Sequence, residues 1–336
     1  MMKSPLTGKE MILKREKRTI TFRKEEFEVV YHYYLCQDTN EQFTTTELDD
    51  LNLNQVYNQY RVKYNLPFPE EIIEIREKYG LSATKMAEVL GFGINSYRNY
   101  ESGEVPSLSN SRLIQLANDP SEFLKLVKLS NVFDEVKLEK EIKKIQLLVE
   151  ADEKNSFNNE LQKYLLGELK ADENTGYRIP DFKKFTEMVL FFTETKGIWK
   201  TKLNKLLFYA DFLFFKNVGY SMSGLRYRAI DLGPVPNNFD IIFNHMEKQG
   251  DIEINITPLA DGGAGYLFKS SIDRKFNPEM FNDTELNILN QVDDKFKENT
   301  AFQIMEISHL EKAWIDNFYN GKKLIDYKYS FDLKAI

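Results

Sequence analysis

The sequence predicts a mainly α-helical protein with small β elements, an α+β chain of several domains. Three observations predict it. Apolar residues recur at helical spacing through most of the chain from about residue 46 onward. β-branched and aromatic runs are confined to the first 45 residues and to short pieces between Leu225 and Ser271. The 336 residues, at roughly 100–200 per domain, call for two or three domains.

The first 45 residues read as a hairpin ribbon. "RTITFR" (Arg18–Arg23) and "FEVVYHYYL" (Phe27–Leu35) have strand composition, with "KEE" between them. Residues 46–66 switch to helical spacing, with Leu51, Val56 and Tyr60 among polar neighbours. Residues 67–127 read as a five-helix block. Pro69 opens its first helix, Ile72, Ile73, Ile75 and Tyr79 face inward, and Gly80 ends it. Ser82 caps the second helix, whose inner residues are Met86, Ala87 and Leu90. The third runs from about Ile94 to Tyr100 and stops at Gly103, and Leu108, Leu113, Leu116 and Phe123 supply the last two. Residues 128–179 are helical and charged and read as a connector, with "ADENTG" (Ala171–Gly176) as a linker tip.

Residues 180–336 read as a second globular domain. Leu203, Leu206, Leu207, Ala210 and Phe214 line one helix face. Strand-like pieces "LRYRAID", "DIEINI" and "GYLFKSS" follow, and helices resume near Thr284. "GPVP" (Gly233–Pro236) reads as a rigid turn and "DGGAGY" (Asp261–Tyr266) as a hairpin turn rather than a phosphate loop, because no helix follows it.

Hydrophobic residues make up 42% of the chain and charged residues 29%, enough for a sizeable core. The net charge of −7 argues against a general nucleic-acid coater and an anionic-membrane binder, though not against a small reader domain. One cysteine, Cys36, allows no internal disulfide and fits a reducing cytoplasm. The N-terminus lacks the apolar core of a signal peptide, and the apolar run Met188–Phe192 is far too short to span a membrane. Three histidines, with no H-E-x-x-H and no G-x-S-x-G, give no sign of an enzyme, and no cofactor is expected.

Ser82 to Glu101 has the mechanics of a helix-turn-helix: a bracing helix, a Gly turn, and a second helix that offers its outer face to the major groove. Tyr97 and Tyr100 form the inner face, and Ile94, Asn95, Arg98 and Asn99 the outer one. Asn pairs with adenine, Arg with guanine, and Ile touches a thymine methyl. The candidate DNA-binding set is Lys85, Ile94, Asn95, Ser96, Arg98 and Asn99. Residues 69–127 carry six cations against nine acids, a net −3, so affinity for phosphate is expected to be weak. A helical bundle kept for protein contacts is the competing reading.

"LSATKMAEVLGFGINSYRNYESG" resembles the helix-turn-helix of the Cro/repressor class. Upstream, Ser4 and Thr7, like Cys36 and Thr39, are three apart, where a four-Cys zinc ribbon would place its thiolates. Only Cys36 could supply one, so no metal is expected there. With "NQVYNQYRVKYNLPFPEEIIEIREKYGLSATKMAEVLGFG", residues 1–127 resemble the MqsA-type antitoxins, which join a zinc ribbon to such a reader. Residues 181 to about 330 resemble the SocA-like Panacea antitoxin domain, through "KLNKLLFYADF", "YRAIDLGPVPNNF" and "ISHLEKAWIDNF". These resemblances imply a cytoplasmic, non-enzymatic antitoxin whose partners are a cognate protein toxin and operator DNA, the latter read by a homodimer. Bottom-up, Asp211 interrupts an apolar helix face and either caps a neighbouring element or meets a partner's cation. Tyr209, Asp211 and Tyr227 are the candidate toxin-binding residues.

Overall fold

A computed structural model describes residues 2–154, 156–258 and 263–336. In chain order, strands β1 (Ile12–Phe22), β2 (Glu25–Leu35) and β3 (Gln42–Phe43) are followed by eight helices. These are α1 (Thr46–Tyr64), α2 (Pro69–Tyr79), α3 (Ala83–Val89), α4 (Ser96–Glu101), α5 (Leu108–Leu116), α6 (Pro120–Ser130), α7 (Glu135–Lys154) and α8 (Ser156–Leu166). Then come α9 (Phe182–Thr193), β4 (Ile198–Trp199), α10 (Lys200–Val218), β5 (Tyr227–Ile230), β6 (Gly233–Pro236) and α11 (Phe239–Gln249). After these come β7 (Ile252–Pro258), β8 (Ala264–Ser270), a 3-10 turn (Pro278–Met280), α12 (Asp283–Phe296), α13 (Ala301–His309), α14 (Lys312–Phe318), β9 (Leu324–Ile325) and a closing 3-10 helix (Tyr327–Asp332). The expected α+β class is what forms.

Two compact units divide the chain, and each is discontinuous in sequence. One comprises Lys14–Tyr31 and Asn52–Leu161. Its reader core is built from Ile72, Ile75, Tyr79, Met86, Ala87, Leu90, Tyr97, Tyr100, Ile114 and Phe123. The expected caps form: Pro69 begins α2, Gly80 ends it at φ 61°, and the Ser82 hydroxyl accepts from Lys85 N–H. In α5 the inner face is not that of the leucines which mark the helix. Ser111 and Ile114 face inward, whereas Leu108 and Leu116 are exposed. Helix α7 buries Ile145 in the reader core and packs Leu138 and Leu148 against it, so that part of the expected connector is a sixth wall of the reader. A second cluster joins Phe27 and Val29 of β2 to Val56, Tyr60, Leu66 and Val105, with Ile20 and Phe22 against it.

The other unit comprises Met1–Leu13, His32–Leu51 and Gln162–Ile336. Helix α10 is its axis. Every residue from Lys202 to Phe215 is buried, far more than the single face that the apolar spacing picks out. Helices α9, α12 and α13 and strand β6 pack on it. Two small antiparallel sheets accompany it, ordered β4-β8-β7 and β6-β5-β9. The "GPVP" stretch is an edge strand, a correction to the turn reading. It pairs Pro234 with Ala229 and Pro236 with Tyr227, a place where prolines do no harm because the outer side of an edge strand needs no N–H. Strands β7 and β8 form the expected hairpin, from Ile252↔Ser270 to Pro258↔Ala264. Its tip, 259–262, which includes Asp261, lies outside the described residues.

The "ADENTG" stretch is not a linker tip. Thr175 is fully buried, the Ser221 hydroxyl donates to the Thr175 carbonyl at 2.6 Å, and Arg226 grips Asp172 at 2.9 Å. Gly176 has φ +61° and sits so close to Ser221 that a Cβ there would lie 2.6 Å from the Ser221 Cβ. Gly176→Ala would be harmless in a linker. Here it adds backbone strain to a clash, so chemical denaturation of the variant is expected to show a loss of at least about 2 kcal/mol.

Candidate functional site

The reader is built as its residues demand. Tyr97 is fully buried and donates to the Ile72 carbonyl at 2.7 Å. Tyr100 is buried and accepts from the Asn110 amide at 2.8 Å. Those two anchors turn the other side of α4 outward. Ile94 is 63% exposed, and Asn95, Arg98 and Asn99 are exposed with it. Helix α4 is shorter than its spacing implies. Ile94 and Asn95 lie in the turn before it, and Asn95 stands at the N-cap position without using its side chain as a cap. Its amide therefore stays available to a base edge. Ser96 is half-buried at the first helical position.

Charge is scarce around this face. Lys85 is half-buried and tied to Glu88 at 2.6 Å. Arg76 is bound by Glu101 and donates to the Leu81 carbonyl at 3.0 Å, which staples α2 to the end of α4. Lys78 bonds Asn118, and Lys125 bonds Glu122. Arg98 and Arg112 are exposed. The unit also holds a residue that sequence reading passed over. Arg61 is buried, reaches the Gly103 carbonyl at 2.7 Å and Asn58 at 3.1 Å, and so fixes the loop where α4 ends. Desolvation pulls its pKa down to about 10. Glu71 caps its own helix by accepting from Phe68 N–H at 2.8 Å, and burial pushes its carboxyl up to about 7.

Ser4, Thr7, Cys36 and Thr39 converge as the knuckle spacing predicts. Ser4 and Cys36 are buried. The Ser4 hydroxyl accepts from Leu6 and Thr7 N–H at 3.3 Å, the bonds that knuckle sulfurs ordinarily receive. Thr7 Oγ1 lies 3.7 Å from Cys36 Sγ. Two thiolates on one tetrahedral zinc, each about 2.3 Å from the metal, would stand roughly 3.8 Å apart. The Thr7–Cys36 separation is thus close to that of two such ligands. Hydrogen bonds from Ser4 and Thr39 hold the Cys36 thiol down at about 6. Among the described residues no group of three or more His, Cys, Asp or Glu could hold a metal ion.

Tyr209, Asp211 and Tyr227 are brought together, but inside the domain. All three are fully buried, which corrects the expectation that they present a surface to a partner. Asp211 takes the capping role. It accepts from Met222 N–H at 3.0 Å, Ser223 N–H at 2.8 Å, the Ser223 hydroxyl, and Tyr227 OH at 2.8 Å. Burial pushes its pKa up, and these four donors oppose that. Tyr209 stacks on Phe296 at 4.7 Å and reaches Glu311 at 3.3 Å. Trp314 is a core residue whose indole N–H donates to the Ile230 carbonyl at 2.8 Å.

Lys205 was not anticipated. It is fully buried and its ammonium nitrogen donates to the Pro234 carbonyl at 3.0 Å. Gly233, at φ +93°, leaves it room, since a Cβ there would come within 2.5 Å of both Lys205 Cε and Ser308 Oγ. Residues from "KLNKLLFYADF", "DLGPVP" and "ISHLEKAW" thus meet at one point. Nothing in the local pattern marks Lys205 as buried, because lysine at that spacing ordinarily reaches solvent.

Two outcomes follow from this geometry. With Ser4, Thr7 and Thr39 all changed to Cys, the chain is expected to bind one zinc per molecule. Elemental analysis after purification without chelator measures it, and a metal-free triple variant would mean that the four positions do not form a metal cage. Desolvation pulls Lys205 down to about 7, below its unfolded value of 10.5. Between those two pH values the unfolded chain binds the extra proton, so stability attributable to Lys205 rises with pH from about 7 to about 10. The variant Lys205→Met removes the cost of a buried charge. It is expected to be the more stable form by a few kcal/mol at pH 7 and below, with the difference shrinking toward pH 10 in denaturation curves.

Residues 2–128 match the family described as the antitoxin component of bacterial toxin–antitoxin systems, MqsA. Residues 203–315 match the family described as antitoxin SocA-like, Panacea domain. No curated protein gives a significant match. No described helix is long and apolar enough to cross a membrane. The antitoxin families point to a regulatory rather than an enzymatic role. The two matches follow the expected order, an MqsA-type antitoxin region before a SocA-like Panacea domain.

Proposed function

We propose that this protein is the antitoxin of a two-protein toxin–antitoxin pair. It neutralises a protein toxin by direct binding through its C-terminal domain, and it represses its own operon through the helix-turn-helix. Both family matches carry the antitoxin half of the reading. The segregation of Tyr97 and Tyr100 inward from Ile94, Asn95, Arg98 and Asn99 outward carries the DNA half. Neutralisation is occlusion, in which a folded surface covers the toxin's active site or substrate path. Tyr209, Asp211 and Tyr227 serve that surface from beneath, by holding the elements that carry it. A homodimer in the cytoplasm places two readers on two half-sites, which doubles contacts that are few on each copy.

The test separates the two activities in the full chain. Asn95→Ala with Asn99→Ala removes two bidentate base contacts worth roughly 1–3 kcal/mol each. The double variant is expected to lose the shift of the chain's own upstream DNA in a mobility assay. It is also expected still to rescue cells from the toxin encoded in the adjacent reading frame. Loss of rescue by this variant would place neutralisation in the reader half. A wild-type protein that shifts no upstream DNA would end the operator reading.

A further inference from the structure

We infer that strand β7 is a self-pairing edge: a second copy of this chain lays its own β7 antiparallel against it, centred on Asn255, and two three-stranded sheets become one. This rests on the homodimer reading above and on neither toxin nor DNA binding.

The other described sheet edges are blunted. Strand β1 carries Lys14, Arg15 and Lys17 on its exposed length. Strands β3, β4 and β9 are two residues long. Strand β6 holds Pro234 and Pro236. Charge, brevity and proline are the common devices that stop an edge from pairing with another chain. Strand β7 lacks them: it has seven residues, a single charge at Glu253, and its proline only at the end. It stands last in the order β4-β8-β7, and no described strand flanks its other side. All of its residues except Ile252 and Ile254 are exposed.

The backbone fixes which groups are open. Ser271 N–H donates to the Asp251 carbonyl at 3.1 Å, and the register runs on from Ile252↔Ser270 to Pro258↔Ala264. Antiparallel neighbours alternate between hydrogen-bonded and non-hydrogen-bonded pairs. Glu253, Asn255 and Thr257 therefore turn their N–H and C=O groups to β8. Those of Ile254 and Ile256 turn to the open side, where an added strand meets them in series.

Two features select a second copy as that strand. A two-fold interface sets residue i against j and j against i, so the pairing segment must complement itself. "EINIT" (Glu253–Thr257) does so about its centre. With Asn255 opposite the partner's Asn255, Ile254 falls opposite the partner's Ile256, and the two exchange both backbone hydrogen bonds. Glu253 falls opposite the partner's Thr257, so the one charge on the edge meets no like charge, and its neighbour on β8 is Lys269. The second feature is the isoleucine row. Ile252 is buried, Ile254 is half-buried opposite the buried Phe268, and Ile256 is 66% exposed. The row runs out of the core into water, and pairing lays the partner's Ile254 against each exposed Ile256.

Sedimentation of the full chain over a range of concentration reads the dimer. Ile256→Pro removes an N–H that β8 does not use, and proline is tolerated on the open side of an edge strand. Two-fold symmetry counts each lost bond twice, so the dimer dissociation constant should rise roughly tenfold or more. Asn255 is exposed, so its substitution leaves the fold intact. Asn255→Lys and Asn255→Asp each set two like charges face to face at the centre, and each should weaken the dimer alone. An equal mixture of the two should restore it. If Ile256→Pro dimerises as wild type does, the β7 edge is overturned while the homodimer stands. If the mixture is no tighter than either variant alone, the register about Asn255 is overturned and the self-pairing with it. If wild type stays monomeric at every concentration, the homodimer and the self-pairing fall together. Loss of toxin rescue by Ile256→Pro would in that case give the edge to a strand of the toxin.

Discussion

Helix α10 has no solvent-facing side between Lys202 and Phe215, and much of the C-terminal fold follows from that constraint. A fully buried helix can be apolar all round, yet this one carries Lys205 and Asp211. Each must find its partners inside the domain, because leaving either unmet would cost several kcal/mol. Asp211 recruits two backbone N–H groups and two hydroxyls, which fixes the Met222–Ser223 turn and the start of β5 at Tyr227. Lys205 recruits the Pro234 carbonyl, which fixes β6. Gly233 must then be glycine, and Ser308 of α13 closes the space. The three stretches that mark this domain in the sequence are the three walls around two buried ionisable groups. Their role is architectural, and it explains why residues that looked like a contact surface are nowhere near solvent.

The N-terminal unit solves a different problem. It keeps Arg98 and Asn99 exposed while staying folded on a short helix of six residues, Ser96–Glu101. So short a helix gains little from its own hydrogen bonds. Tyr97 and Tyr100 hold it by their rings and by their hydroxyls, and the Arg76–Glu101 pair clamps its last turn. These acids and cations are consumed by structure. Lys85 and Lys125 are paired with acids in the same way, so this unit spends much of its charge on its own packing.

Sequence patterning made the reader legible almost residue by residue, because capping, Gly turns and 3.6-residue spacing are local rules. Pro69, Gly80, Ser82, Tyr97 and Tyr100 all take their expected places. What local rules missed was set by distant partners. Leu108 and Leu116 mark the helix by their spacing, yet Ser111 and Ile114 take its inner face, because the opposing surface of the reader core decides which side turns inward. Ala171–Gly176 has linker composition, yet Ser221 and Arg226, some 50 residues on, draw it into the domain. "GPVP" looked like a turn because proline ordinarily stops strands, and only its position at a sheet edge makes it a strand. Lys205 could not be found at all, because nothing short of three assembled segments removes it from water.

The knuckle of Ser4, Thr7, Cys36 and Thr39 has to be held together without the four thiolates of a zinc ribbon. A structural zinc contributes roughly 10–16 kcal/mol to a small fold and can hold a knuckle that has almost no core. Serine and threonine hydroxyls contribute about 1 kcal/mol per hydrogen bond, so they cannot do so alone. The missing stabilisation must come from burial. Here Met1–Leu13 and His32–Leu51 belong to the same compact unit as the C-terminal domain, not to the reader. Within it Met11, Tyr33 and Cys36 are buried, and His32 lies against Phe331 with ring centres 4.9 Å apart. A knuckle that rests on such a core can be held by hydroxyls and burial in place of a metal. On this argument, the stability of the knuckle comes from the compact unit it shares with the C-terminal residues.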